Sequence, residues 1–163
     1  MTSNNDMHTT PPTYLSGYAI PTGGGGPANL LTDGAWCGHG EPLFGIYDVR
    51  TPSSSVFSVC LPSSPRFPEL AAVTATSPAK ETFFLYDPRK HPASVYADDS
   101  RKFPHTPAAP FACPSCRGEA FTVAVGFEVP GDSEEPDDTS WFALAVECSS
   151  CKWRGIIFDD ETA

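Results

Sequence analysis

The chain has 163 residues, enough for one domain or one domain with an appended module, and 40% of them are apolar, which excludes a chain disordered throughout. Its 18 prolines, about twice the usual share, are spread along it and exclude long helices, because an interior proline removes a hydrogen bond and clashes with the preceding turn. The formal net charge of −10 lies almost wholly on the C-terminal part: Glu119 to Ala163 carries eleven acidic and two basic residues, Met1 to Gly118 nine and eight.

A field of that sign repels phosphate backbones, which argues against nucleic acid as a ligand. It favours a protein partner with a basic surface, or simple solubility. No apolar run approaches the roughly 20 residues that cross a bilayer, so a membrane partner is not expected. The first residues lack both a basic region and an apolar stretch, so no secretory signal is expected there. A cytoplasmic location follows as an expectation.

Residues 1–29 are polar and contain Pro11-Pro12 and Gly23-Gly24-Gly25-Gly26-Pro27. The glycine run lacks the lysine of a phosphate-binding loop. It is expected to be a flexible N-terminal arm. Tyr14, Leu15, Tyr18 and Ile20 are apolar enough to order part of it.

Residues 30–105 form a β-rich region. Leu43–Val49 and Ser55–Leu61 carry strand preference, and Arg50-Thr51-Pro52-Ser53-Ser54 between them has turn composition, so the pair is expected as a hairpin. Glu69–Val73 suggests a helical turn behind Pro68. Thr82–Tyr86 is apolar on both faces and is expected to be a buried strand. Ala93–Ala97 suggests a short edge strand. Phe103–Pro110, with three prolines, is expected as a stiff connector.

Residues 106–163 read most clearly. Cys113-Pro114-Ser115-Cys116 and Cys148-Ser149-Ser150-Cys151 are separated by thirty-one residues. A C-x-x-C turn sets two sulfurs on one side of a tight loop, and two such loops supply four corners for one tetrahedral metal ion. Between them, Phe121–Val129 has large apolar residues at odd positions, the period of a half-buried strand. Trp141–Glu147 returns, and Trp153–Phe158 makes a third strand. The expected fold is mainly β: an antiparallel β-rich N-terminal region followed by a three-stranded sheet with both cysteine turns on one edge.

This C-terminal third resembles the zinc-ribbon family, on Cys113, Cys116, Cys148, Cys151 and the strands between and after them. The resemblance implies one structural Zn2+ held by those four cysteines. Known zinc ribbons serve in transcription, translation, nucleic-acid handling and protein docking, so it implies no single activity. Two features depart from many relatives. Glycine often follows the second cysteine of each turn; here Arg117 and Lys152 do. The loop between the strands carries Asp132, Glu134, Glu135, Asp137 and Asp138 with no basic residue, a possible contact surface for a basic partner, though a solvated loop explains it as simply.

Other chemistry is sparse. Cys37, His39 and Cys60 offer three ligands for a second metal, with His91 or His105 as a fourth. Cys37 and His39 also suggest a nucleophile and base, with Asp33 or Asp48 to orient the imidazole. Cys60 alone fits a packed thiol. A deaminase arrangement of His39-Gly40-Glu41 with Cys113-Pro114-Ser115-Cys116 leaves Cys148 and Cys151 without a role. A zinc ion with four thiolates has no open coordination position, so the C-x-x-C pairs do not point to catalysis. Three function classes follow in order: a non-catalytic zinc-binding interaction protein, such as an inhibitor, immunity or accessory protein; a nucleic-acid- or transcription-associated zinc ribbon; and a small Cys/His enzyme.

Overall fold

The computed structural model describes residues 11–32, 43–62, 72–87, 108–129 and 141–161. Among the described residues there are nine strands: β1 (Ala19–Pro21), β2 (Leu43–Val49), β3 (Ser58–Pro62), β4 (Val73–Thr76), β5 (Thr82–Tyr86), β6 (Ala108–Pro110), β7 (Phe121–Val129), β8 (Trp141–Cys148) and β9 (Arg154–Glu161). Two short 3-10 turns, Thr13–Leu15 and Gly26–Leu30, complete the described elements. The protein is mainly β, as the prolines and strand-forming runs require. No helix among the described residues is long and apolar enough to cross a membrane.

The strands make two antiparallel sheets, one of five in the order β1-β2-β7-β8-β9 and one of four in the order β5-β4-β3-β6. The expected C-terminal meander of β7, β8 and β9 is present. It does not end at β7. β2 pairs along β7 from Leu43↔Val129 to Asp48↔Ala124, and β1 pairs outside β2. Residues far apart in sequence thus share one sheet with the cysteine-bearing strands.

The hairpin expected from Leu43–Val49 and Ser55–Leu61 is not formed: β2 and β3 belong to different sheets. The connecting segment does turn. Thr51 accepts the Ser53 and Ser54 N–H groups on its Oγ1, at 3.3 and 3.0 Å. But the turn carries the chain from one sheet to the other. Phe57 then exchanges two 2.8 Å backbone hydrogen bonds with Phe121 and couples the sheets at that corner.

One core lies between the sheets. Tyr47, Val49, Val123, Val125, Phe127, Phe142, Leu144 and Val146 from the first meet Val59, Val73, Ala75, Phe83 and Leu85 from the second. Each large side chain buried there contributes about 1.5–3 kcal/mol relative to exposure. Phe142 links Phe127 and Tyr86, with ring centroids 5.1 and 5.0 Å away. Period two along β7 does aim Val123, Val125 and Phe127 into this core.

The expectation that β7 is only half-buried does not hold. Its other face is also closed, because Ala124, Ala143 and Ala145 form a shallow strip beneath Ala28 and Leu31 of the second 3-10 turn. The residues on that face are small, so a short backbone segment fits directly over them. The glycine run makes the segment. Gly24, Gly25 and Gly26 all have positive φ (91°, 84° and 60°), which glycine adopts without steric cost. Gly25 N–H bonds Asn29 Oδ1 at 3.0 Å. Upstream, Leu15 is fully buried, and Tyr18 stacks on Phe83 with centroids 4.0 Å apart. The edge strand expected at Ala93–Ala97 and all but the end of the helical turn expected at Glu69–Val73 fall outside the described residues; Val73 itself is described and opens β4.

Candidate metal centre

Two loops of matching construction meet at one end of the five-stranded sheet. The first lies between β6 and β7, the second between β8 and β9. Antiparallel pairing brings them together: Phe121 opposes Cys148, and Ser149 N–H bonds the Ala120 carbonyl at 3.0 Å. In the first loop Cys113 N–H bonds the Gly118 carbonyl at 2.7 Å, and Arg117 N–H bonds the Cys113 carbonyl at 2.8 Å. In the second, Cys148 N–H bonds the Trp153 carbonyl at 2.7 Å, and Lys152 N–H bonds the Cys148 carbonyl at 3.0 Å. Arg117 and Lys152 close their loops in the left-handed region, with φ 67° and 68°.

The consequence is a cluster of four sulfurs. Cys113, Cys116, Cys148 and Cys151 have Sγ atoms all within 4.8 Å of one another. Cys113 to Cys151 and Cys116 to Cys148, each across the two loops, measure 3.5 Å. A zinc ion with bonds of about 2.3 Å to sulfur would set tetrahedron edges of roughly 3.8 Å. The donor set and its spacing therefore fit one thiophilic metal ion. The cluster is half sheltered: Cys113 and Cys148 are buried, Cys116 and Cys151 exposed.

Backbone amides prepare the sulfurs for negative charge. Ser115 N–H points to Cys113 Sγ and Gly118 N–H to Cys116 Sγ, each at 3.4 Å. Without metal, four thiols this close cannot all ionise together. The Cys151 and Ser150 amides, with hydrogen bonds from neighbouring thiols, bring Cys148 down to about 6. The Trp153 amide lowers Cys151 likewise. At Cys116 the Gly118 amide pulls the other way, but hydrogen bonding to Cys148 with burial and the remaining thiols pushes it up to about 12. A bound dication removes this conflict by taking all four as thiolates.

The surroundings hold the loops in place. Phe111 lies 5.3 Å from Phe121 and 6.1 Å from Trp153, centroid to centroid. Phe111 N–H bonds the Val59 carbonyl at 2.7 Å, tying this aromatic group to the second sheet. Gly118 leaves the sulfurs room: a Cβ there would sit 3.3 Å from Cys116 Sγ and 3.7 Å from Cys148 Sγ. These supporting residues were not among the sequence candidates. For Gly118 and Trp153 the signal is positional, since the residue two places after each cysteine donates its N–H to sulfur in such a loop.

Among the described residues this is the one group of cysteine, histidine or acidic side chains arranged to hold a metal. Cys60 lies on β3, apart from the cluster and partly exposed. Asp48, a proposed orienter of His39, accepts the Thr22 hydroxyl, whose Oγ1 is 3.2 Å from both carboxylate oxygens. Cys37, His39, Asp33, His91 and His105 lie outside the described residues, as do Asp132, Glu134, Glu135, Asp137 and Asp138. No family model matches the sequence, and neither a curated protein nor a solved structure shows significant similarity to it.

Proposed function

We propose that the chain is a non-catalytic zinc-binding protein whose ion closes the sheet end and whose acidic C-terminal part engages a basic protein partner. The observation that carries this reading is the four-sulfur cluster. Four thiolates saturate zinc and leave no position for substrate, so the ion's work is structural. Free thiols in place of disulfides suit a reducing compartment and hence a cytoplasmic protein. An inhibitor, immunity or accessory role fits this chemistry, because a negative field raises the encounter rate with a basic target.

The partner is tested with the full-length, metal-loaded chain immobilised as bait. Captured partners should be basic, and their association rates should fall steeply with ionic strength. Rates indifferent to salt would remove the electrostatic reading. Binding of nucleic acid at low salt, abolished by replacing the adjacent basic residues Arg101 and Lys102, would instead support the nucleic-acid alternative.

A further inference from the structure

Each C-x-x-C loop carries one sheltered and one open sulfur. Cys113 and Cys148 are buried, Cys116 and Cys151 exposed, and all four are free thiols. The closest contacts join unlike members. Exposed Cys151 lies 3.5 Å from buried Cys113, and exposed Cys116 lies 3.5 Å from buried Cys148. Both contacts cross from one loop to the other. A disulfide has a sulfur–sulfur bond of about 2.05 Å, so each pair needs to close by only about 1.5 Å.

The loops are held side by side by groups that sulfur chemistry leaves alone. Ser149 N–H bonds the Ala120 carbonyl at 3.0 Å, and Phe121 opposes Cys148 in the pairing of β7 with β8. Phe111 N–H bonds the Val59 carbonyl at 2.7 Å, and its ring packs against Phe121 and Trp153. None of these contacts uses a cysteine side chain. The surrounding backbone thus presents each exposed sulfur to a buried one.

We propose that Cys151 with Cys113, and Cys116 with Cys148, are two oxidation sites for a peroxide, whose disulfides replace the metal clasp by a covalent one. The exposed thiolate attacks one peroxide oxygen. The O–O bond breaks, the sulfur becomes a sulfenic acid, and the other oxygen leaves as hydroxide, which takes a proton to give water. The buried thiolate of the pair then attacks the sulfenic sulfur. The S–O bond breaks, the S–S bond forms, and a second hydroxide leaves and is protonated. Two thiolates, one hydrogen peroxide and two protons become one disulfide and two waters. A sulfur in a disulfide no longer offers the negative charge that a metal ion requires, so oxidation and metal binding exclude each other. That exclusion rests on the zinc reading above; the disulfides rest on the sulfur geometry alone. The links join positions 38 and 32 residues apart and tie the loop before β7 to the loop before β9.

The test uses the full-length chain, reduced and loaded with zinc, with hydrogen peroxide as the probe. With a sulfenic-acid trap present and peroxide substoichiometric, Cys116 and Cys151 should carry at least about tenfold more label than Cys113 and Cys148, because access decides which sulfur meets the oxidant. Without the trap, and with peroxide sufficient for both pairs, four of the six thiols should be lost and zinc should appear in solution. Trypsin cuts after Lys102, Arg117 and Lys152, which puts Cys113 and Cys116 on one peptide and Cys148 and Cys151 on another. Those two peptides should be linked. Stepwise reduction, with a different alkylating label at each step, should mark Cys113 with Cys151 and Cys116 with Cys148. Near-ultraviolet circular dichroism of the oxidised, zinc-free protein should keep the Trp153 signal that chelation removes from the reduced protein. Unlinked peptides, labels that pair Cys113 with Cys148, equal trapping at buried and exposed sulfurs, or loss of the Trp153 signal on oxidation would each overturn the proposal. A chain that holds no zinc at the start would end the zinc reading, and the same peptide map of its reduced form would still decide the disulfides.

Discussion

Arg117 and Lys152 hold the same backbone conformation, φ 67° and 68°, at the same step of two different loops. Each donates its N–H to the carbonyl of the first cysteine of its loop. A side chain in the left-handed region costs about 1–2 kcal/mol, so both loops carry strain at the residue that closes them. Arg117→Gly and Lys152→Gly should each stabilise the protein, by about 0.5–1 kcal/mol after glycine's larger entropy loss is counted. Arg117→Val should act in the opposite direction. Denaturant midpoints measured on the metal-loaded protein check both signs.

Gly155 is required by its neighbour. A Cβ there would lie 2.7 Å from Trp153 Cζ2 and closer still to Cη2. The indole therefore covers the glycine and rests within the aromatic group beside the cysteines. Gly155→Ala should displace it and destabilise the fold by about 1–3 kcal/mol, as overpacking does. The readout is a shift in tryptophan emission that accompanies a lower melting temperature.

The N-terminal segment closes both faces of the sheet system. Leu15 is buried against the inter-sheet core, and Leu31 is buried over Ala124, Ala143 and Ala145. Leu15→Ala and Leu31→Ala should each cost about 2–5 kcal/mol. A linker passing over the surface would lose almost nothing. Chemical denaturation of the two variants separates these outcomes.

The cysteine cluster was legible because its ligands come in local pairs. A C-x-x-C turn positions two sulfurs by itself, and the period of Phe121–Val129 implies the return strand that brings the second pair alongside. Sheet membership was less legible because strand pairing is non-local. Nothing in Leu43–Val49 specifies that its partner is Phe121–Val129, about eighty residues later, in place of the next strand. The second buried face escaped notice for another reason. Ala124, Ala143 and Ala145 carry little hydrophobic signal, and their cover comes from a glycine run whose composition suggests a linker. The position of the aromatic support, Phe111 beside Trp153, depends on the second sheet.

The thiols give the metal-free protein a distinctive pH response. Cys148 is lowered to about 6 in the fold from an ordinary 9.0, so between these values the unfolded chain holds the extra proton. Folding stability therefore rises with pH across that window and is lost as pH falls through about 6. Cys116 is raised to about 12, so above 9.0 the unfolded chain releases its proton first and stability declines. The metal-free wild type should be most stable near pH 9 relative to a Cys148→Ser, Cys116→Ser double variant. Melting temperatures of both proteins across pH check this. Metal affinity should fall steeply below about pH 6, where protons compete for the sulfurs.

The decisive measurement is the metal content of reduced, full-length protein by elemental analysis, followed by chelation with near-ultraviolet circular dichroism recorded throughout. The expected result is one zinc per chain, lost on chelation together with the signal of Trp153 and its aromatic neighbours, and absent from a Cys113→Ser, Cys148→Ser variant. Protein that takes up no zinc, or that surrenders it with the aromatic signal unchanged, would contradict a metal clasp at the sheet end.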